Sequence, residues 1–546
     1  MKIGSNLNVQ TDQKVRQNST TRVQNPDNVS IGDFSRNDIL VSYYPQDPYV
    51  GKPVITSIPG DDITPGPDNS KIDTIGNVKP DADGNLIFEP HEPAFVNAQV
   101  FTSVNSSIDM FQKYLGREVK FYGGRKKITI YPDKGEMRNA YYSRMDCSLN
   151  FFHYTDKKTG QIYYTGKSSE ITAHESGHSK IDGIHPGWLG WNQETRAVHE
   201  AGADIDAMLT GLHDENNLER FLQETGGDFK KPNIIAYMGE EFGYSAYGRP
   251  YLRTAINDFT YSPPELLPDH PAPDQLGGEA HSFAQLFTGA FYDVLEGVFN
   301  SYLEDGLSQK EALIKTREVG GKLYAKGVDT APPSNATYKD LALAMLNVDK
   351  REEGGKHSNI IADVFTKRKI LTQGDLEKTR FTEDLIRGNN FLFAGNSDNI
   401  IDFVDKNREV FGIGEEVPLI LSNTRKNNDG SAGFDVSYSV EVLLKGSEYG
   451  IFDGAVIDVD GGVNLGTYSS GQLCFASTSE VNNDNIEKSK NYLKKLIKDG
   501  RIKFVDPSSR KVLKNDDFFD SKGIPYAGYT SYEDGKMKIE RTPVIV

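Results

Sequence analysis

Apolar residues along the chain change their period twice. From Phe95, the positions Ala98, Val100, Phe101, Val104, Ile108, Phe111 and Leu115 recur at helical spacing, which predicts an amphipathic helix facing a core. Alternating segments follow, with Val119, Phe121, Ile128 and Ile130, then the run from Cys147 to Tyr154. A polar Lys158-Thr159-Gly160 turn comes next, so strands and a hairpin are expected. Ser169 to about Leu371 reads as helix-rich. Beyond it Phe434, Val436, Tyr438, Val440 and Val442 alternate with polar partners, as in a half-buried strand. Ile486, Leu493, Leu496 and Ile497 then mark one face of a helix over 485–499 that Gly500 stops.

Before Phe95 no period is sustained. Met1 to about Asn85 carries Pro45, Pro48, Pro53, Pro59, Pro65, Pro67 and Pro80 among Gly, Asp and Ser, and reads as an extended or disordered polar leader. The expected division is a leader over 1–85, a folded unit over 86–375, and a smaller β-rich or α+β accessory domain over 376–546.

Composition narrows the function classes. The 546 residues exceed one small domain, and 37% hydrophobic content suffices for real cores. Lys and Arg number 61 against 78 Asp and Glu, a net charge of −17, and no basic cluster stands out. Nucleic acid and anionic membrane are therefore not expected partners, since both need a positive patch. No run approaches the roughly 18 apolar residues of a transmembrane segment. Cys147 and Cys474, far apart, are expected as free thiols. The polar N-terminal stretch has no apolar region of the signal-peptide kind. Secretion by a route not displayed is the first expectation for location, and the cytoplasm the second.

The strongest chemical signal is His174-Glu175-Ser176-Gly177-His178. On a helix, residues i and i+4 lie about 400° apart, so both imidazoles point one way and can share a metal while Glu175 stands beside a bound water. Ser169 as cap and Glu170 in the first turn support a helix here. With ten histidines in the chain, a random match is expected in about one such chain in a hundred. A hydrolytic zinc needs a third protein ligand and an open position. Glu200 suits the role, in a helical stretch where Asp204 shares its face and would accept the outer N–H of a ligand histidine. His185 and His199 are rival ligands; His199 points away from Glu200, toward the periphery of the site or solvent.

This pairing of motifs resembles the thermolysin-like zinc metallopeptidases, the gluzincins. Arg138-Asn139-Ala140-Tyr141-Tyr142 is similar to that family's edge strand, which holds an extended peptide by strand addition. Tyr251-Leu252-Arg253-Thr254 resembles the segment whose arginine binds the substrate carbonyl, and Gly277-Gly278-Glu279-Ala280-His281 the loop with a second catalytic histidine. The motifs span about Phe95 to Leu371, in the family's order. The resemblance implies a two-lobed catalytic domain, with lobes over about 86–190 and 191–375. It also implies one zinc on His174, His178 and Glu200, Glu175 as general base, His281 as second catalytic group, Asp204 behind the ligands, and Asn139, Ala140 and Arg253 on the substrate. The expected activity is zinc-dependent endopeptidase cleavage of peptides or proteins. The alternative is a non-catalytic binding or surface protein on a degenerate scaffold of this kind, which would have no use for Glu175.

Departures from the family pattern set further expectations. The family's tyrosine between ligand helix and glutamate is missing; Ser179 to Arg196 holds Trp188 and Trp191 instead, so oxyanion help falls to His281. The aspartate that usually precedes the second histidine is replaced by Leu276, the nearest carboxylates are Asp274 and Glu279, and Asp274 is taken as the orienting partner. Calcium is a further candidate, with Asp214, Glu215 and Glu219 available and a faint turn-like signal at Asp458-Val459-Asp460-Gly461-Gly462. The family's signal peptide and inhibitory propeptide are both missing from the expected places, which points to a processed chain or to control by other means.

Overall fold

The computed structural model describes residues 38–60, 62–272, 274–377, 397–508 and 512–545, and the chain is α+β. β1 (Asp38–Tyr43) and β2 (Val54–Pro59) form an antiparallel hairpin, and β3 (Ile72–Thr74) follows. The leader reading is thus corrected over 38–85, where Val41, Ile58 and Ile72 join the main core. Its strands are short and separated by proline-rich turns, so no period survives in the sequence. The stretch 1–37 lies outside the described residues.

Helix α1 (Pro93–Leu115) begins with Pro93, whose missing N–H costs nothing there, and ends at Gly116 with φ 81°. All the apolar positions that predicted it are buried. β4 (Ile128–Tyr131), β5 (Tyr141–Ser143) and β6 (Ser148–Asn150) build a sheet in the order β5-β6-β4-β3, antiparallel at β5–β6 and parallel elsewhere. β7 (His153–Thr155) and β8 (Ile162–Tyr164) form the expected hairpin, with Gly160 at φ 71°. Val119 and Phe121 are buried but stand outside the strands.

The helix-rich part comprises α2 (Ser169–Ile184), α3 (Gln193–His213), α4 (Glu215–Thr225), α5 (Glu240–Tyr247), α6 (Ala280–Glu304), α7 (Gln309–Thr330), α8 (Tyr338–Glu352) and α9 (Ser358–Lys367). The short strands β9 (Tyr237–Met238) and β10 (Arg253–Thr254) pair beside α5. α2 and α3 approach unusually closely. A β-carbon on Gly177 would lie 2.9 Å from Cα of Ala203, and one on Gly202 would strike Ile181 at 2.6 Å. Glycine at these two positions is what lets the two helices meet along the stretch that carries both metal-ligand motifs.

Beyond 396 come α10 (Ser397–Lys406), β11 (Ile420–Lys426), β12 (Ala432–Leu443), β13 (Val456–Thr467), β14 (Leu473–Ser479), α11 (Asn483–Lys498), β15 (Ile502–Lys503), β16 (Gly528–Glu533), β17 (Lys536–Arg541) and β18 (Val544–Ile545). β12 and α11 match their predicted spans closely, and Gly500 at φ 65° follows the helix. Asp458-Val459-Asp460-Gly461-Gly462 is no turn. It lies within β13, where Asp458 pairs with Lys538 and Gly461 makes room for the ring of Tyr438.

The boundary near 376 does not isolate the accessory region. Arg425 bridges Asp329 and Asp435, Asn464 Nδ2 donates to the Asp329 carbonyl at 2.8 Å, and β18 pairs with β5 of the first sheet. Buried charges and a shared sheet bind the parts together. Among the described residues no helix is long and apolar enough to cross a membrane, and both cysteines are free thiols.

Candidate metal centre

Ser168, one residue earlier than expected, caps α2; its hydroxyl accepts from the Ile171 N–H, while the hydroxyl of Ser169 is turned to the Tyr44 carbonyl. His174 and His178 then stand on successive turns with their Nε2 atoms 3.1 Å apart. The close α2–α3 crossing brings Oε2 of Glu200 to 3.4 Å from His174 Nε2 and 3.3 Å from His178 Nε2. An ion bonded at about 2.0–2.1 Å in tetrahedral geometry has ligand–ligand edges of about 3.3–3.4 Å. The three atoms already stand at nearly that spacing. Glu200 is only 1% exposed, yet among the described residues neither of its oxygens accepts a hydrogen bond. A buried carboxylate without donors costs several kcal/mol unless a cation compensates it. Burial opposes its charge, but His281, His178 and His174 hold its pKa well below the carboxylate range. The donor set and its orphaned oxygens fit a metal ion.

Groups behind the ligands are equally ordered. Asp204 Oδ1 lies 2.9 Å from His174 Nδ1, as expected, and Asp204 also takes a bidentate contact from Arg253 through Nε at 3.1 Å and Nη2 at 2.7 Å. Burial works against charge on His174, yet Asp204 and Glu200 raise its pKa to about 9. His199 is buried, with Nδ1 2.8 Å from Nδ1 of His178, so it backs a ligand instead of being one. His185 is elsewhere: its Nε2 meets the Val328 carbonyl at 2.7 Å and its ring stacks on Trp188.

A cleft of about 630 Å³ opens over these groups, lined by His174, Glu175, Asp204, Arg253 and His281 together with Asn139 and Ala140. Every sequence-predicted site residue except Asp274 is thus at the metal cluster or in the cleft. Glu175 is 4% exposed with its Oε2 unpartnered, and burial pushes its pKa to about 7. His281 Nε2 lies 3.4 Å from Glu200 Oε2. Its Nδ1 is held by Glu279 Oε1 at 2.8 Å, and burial of the imidazolium is outweighed by Glu200 and Glu279, which bring its pKa to about 9. The orienting carboxylate is therefore Glu279, which also caps α6. Asp274, the residue expected in this role, is exposed, and the cap of α6 turns Glu279 back on the ring in its place. Among the described residues no tyrosine lines the cleft. Trp188 donates Nε1 to the Pro332 carbonyl and Trp191 packs against the accessory region, so both tryptophans are structural.

A second cluster escaped the sequence. Asp47, Glu170 and Glu240 bring carboxylate oxygens within 4.8 Å of one another and are buried. Among the described residues Asp47 Oδ2 and both oxygens of Glu240 find no hydrogen-bond donor. Burial raises Asp47 to about 6 and, with Asp47 adding to it, Glu240 to about 7; burial with the charges of Glu240 and Asp47 raises Glu170 well above its ordinary value. Glu170 sits one turn before His174, but nothing in the sequence tied it to Asp47 or Glu240. The calcium candidates Asp214, Glu215 and Glu219 are committed elsewhere: Asp214 caps α4 and bonds Tyr43, Glu215 pairs with Arg317, and Glu219 with Lys310.

No family model matches this chain, and no curated protein matches it.

Proposed function

We propose that the chain is a zinc-dependent peptidase of the thermolysin-like kind. The observation that carries this reading is the near-tetrahedral spacing of His174, His178 and Glu200 with a buried, unpartnered Glu175 on the same helix at the cleft. A purely structural metal site has no use for such a carboxylate, and burying one without a task costs stability. Zinc held by the three ligands would supply Lewis acidity, acidifying a water and polarising the scissile carbonyl.

The protein's own groups do the rest. Glu175 takes a proton as the nucleophile attacks and delivers it to the leaving amine, a role for which a pKa near neutrality is apt. His281, held by Glu279, and Arg253, held by Asp204, donate hydrogen bonds toward the tetrahedral carbon's oxygens and the substrate backbone. Ala140 and Asn139 offer the strand edge that aligns the peptide. The cluster of Asp47, Glu170 and Glu240 is proposed to hold calcium, whose preference for several carboxylate oxygens suits it.

The test is hydrolysis of a peptide mixture by wild type, a Glu175→Gln variant and chelated protein, with zinc counted by mass spectrometry. Near-stoichiometric zinc with cleavage lost in the variant is expected. Cleavage that survives both treatments contradicts the reading.

A further inference from the structure

β18 lies on the edge of β5, the strand that continues directly from the cleft-lining Ala140. We propose that Val544 and Ile545 close one end of the substrate-binding edge and restrict the enzyme to peptide bonds near the free N-terminus of its substrate. This rests on the peptidase reading above and adds a length specificity to it.

β5 has two edges, and β6 occupies the inner one. On the outer edge Val544 faces Ser143 and Ile545 faces Tyr142 in antiparallel register, and the Arg144 N–H donates to the Pro543 carbonyl at 2.8 Å. Hydrogen-bonded pairs alternate along an antiparallel ladder. Arg144 opposite Pro543 is one such pair and Tyr142 opposite Ile545 the next. The following one falls at Ala140, whose backbone groups therefore face the same outer edge, in line with β18. A peptide that adds antiparallel at Ala140 runs in the direction of β18. Its N-terminal side points at Tyr142, where Ile545 already sits, and its C-terminal side leaves past Asn139.

The cover is part of the packed structure. Val544 is 2% exposed among Tyr141, Phe152 and Phe518, and Ile545, at 1%, belongs to the main core. Asn515 fastens the same face, accepting from the Ser143 hydroxyl at 2.8 Å and donating to Asp146 at 3.0 Å. Lifting the strand would expose two buried aliphatic side chains to water, so an incoming peptide does not displace it readily.

Two series of fluorogenic peptides, one core lengthened residue by residue at its N-terminal or C-terminal end, test this on the zinc-loaded full chain. N-terminal lengthening is expected to lower kcat/KM by about tenfold or more, which is about 1.4 kcal/mol of transition-state binding, while C-terminal lengthening leaves it nearly unchanged. A Val544→Asp/Ile545→Asp double variant, its fold checked by thermal unfolding, is expected to regain cleavage of the long N-terminal series. Equal cleavage of both series by wild type, or loss on C-terminal lengthening instead, overturns the proposal and leaves the peptidase reading standing. Failure to cleave any peptide removes both.

Discussion

His178 and His199 face each other through their Nδ1 atoms at 2.8 Å, both buried. One proton serves that contact. If Nε2 of His178 is to bind a metal, its proton must be on Nδ1, and His199 is the acceptor that fixes this tautomer. Burial holds the pKa of His178 down at about 4 and that of His199 well below the usual value, so both rings stay neutral, as ligation requires. His199→Ala is expected to weaken zinc binding by about 10- to 100-fold, read by competition with a zinc indicator. Unchanged affinity would remove His199 from the site's support.

Zinc binding should release protons. Asp204 and Glu200 carry His174 to a pKa of about 9 against the cost of burial. The metal-free site is therefore protonated at neutral pH, and the ion must displace that proton. Calorimetry at about pH 7 in buffers of different ionisation enthalpy is expected to show net release, with affinity rising as pH approaches 9.

Arg253 and Asp204 form a buried bidentate pair against His174. Removing one partner leaves the other charge uncompensated, so Arg253→Ala is expected to lower unfolding free energy by about 3 kcal/mol and to weaken metal retention as well. Denaturant unfolding and zinc counting on the same sample check both effects. A variant that lost only activity would place Arg253 solely on the substrate.

The carboxylate cluster sets a pH dependence of opposite sense. Asp47 and Glu240 have folded pKa values raised to about 6 and 7, above their ordinary 3.8 and 4.5. The folded chain thus binds more protons than the unfolded one between those values, and stability falls as pH rises through that window. Chelated protein is expected to lose thermal stability from about pH 4 to about pH 7, and millimolar calcium to restore it. A flat profile without calcium would contradict the assigned burial of charge.

Much of the chemistry was legible because helical periodicity fixes relative directions. His174, Glu175 and His178 needed only the i, i+4 rule, and Glu200 with Asp204 the same rule on a second helix. Gly177, within the first motif, is the residue that lets those helices touch. That Glu279 and not Asp274 orients His281 depends on how the chain turns into α6, a cap geometry that spacing does not reveal. The carboxylate cluster and the β18–β5 pairing join segments 193 and 403 positions apart, as Asp47 with Glu240 and Tyr142 with Ile545. Such contacts are made by tertiary packing, and local pattern carries no trace of them. The strands over 38–85 were hidden for a different reason: each is too short to display a period between its prolines.

The most direct measurement is single-turnover peptide hydrolysis by zinc-loaded wild type and Glu175→Gln, each with its zinc content determined. Zinc should be retained equally, since Glu175 is not one of the three clustered ligands, while the chemical step slows by about 10²- to 10⁴-fold, the usual worth of a general base. Equal rates from equally loaded proteins would contradict the central claim.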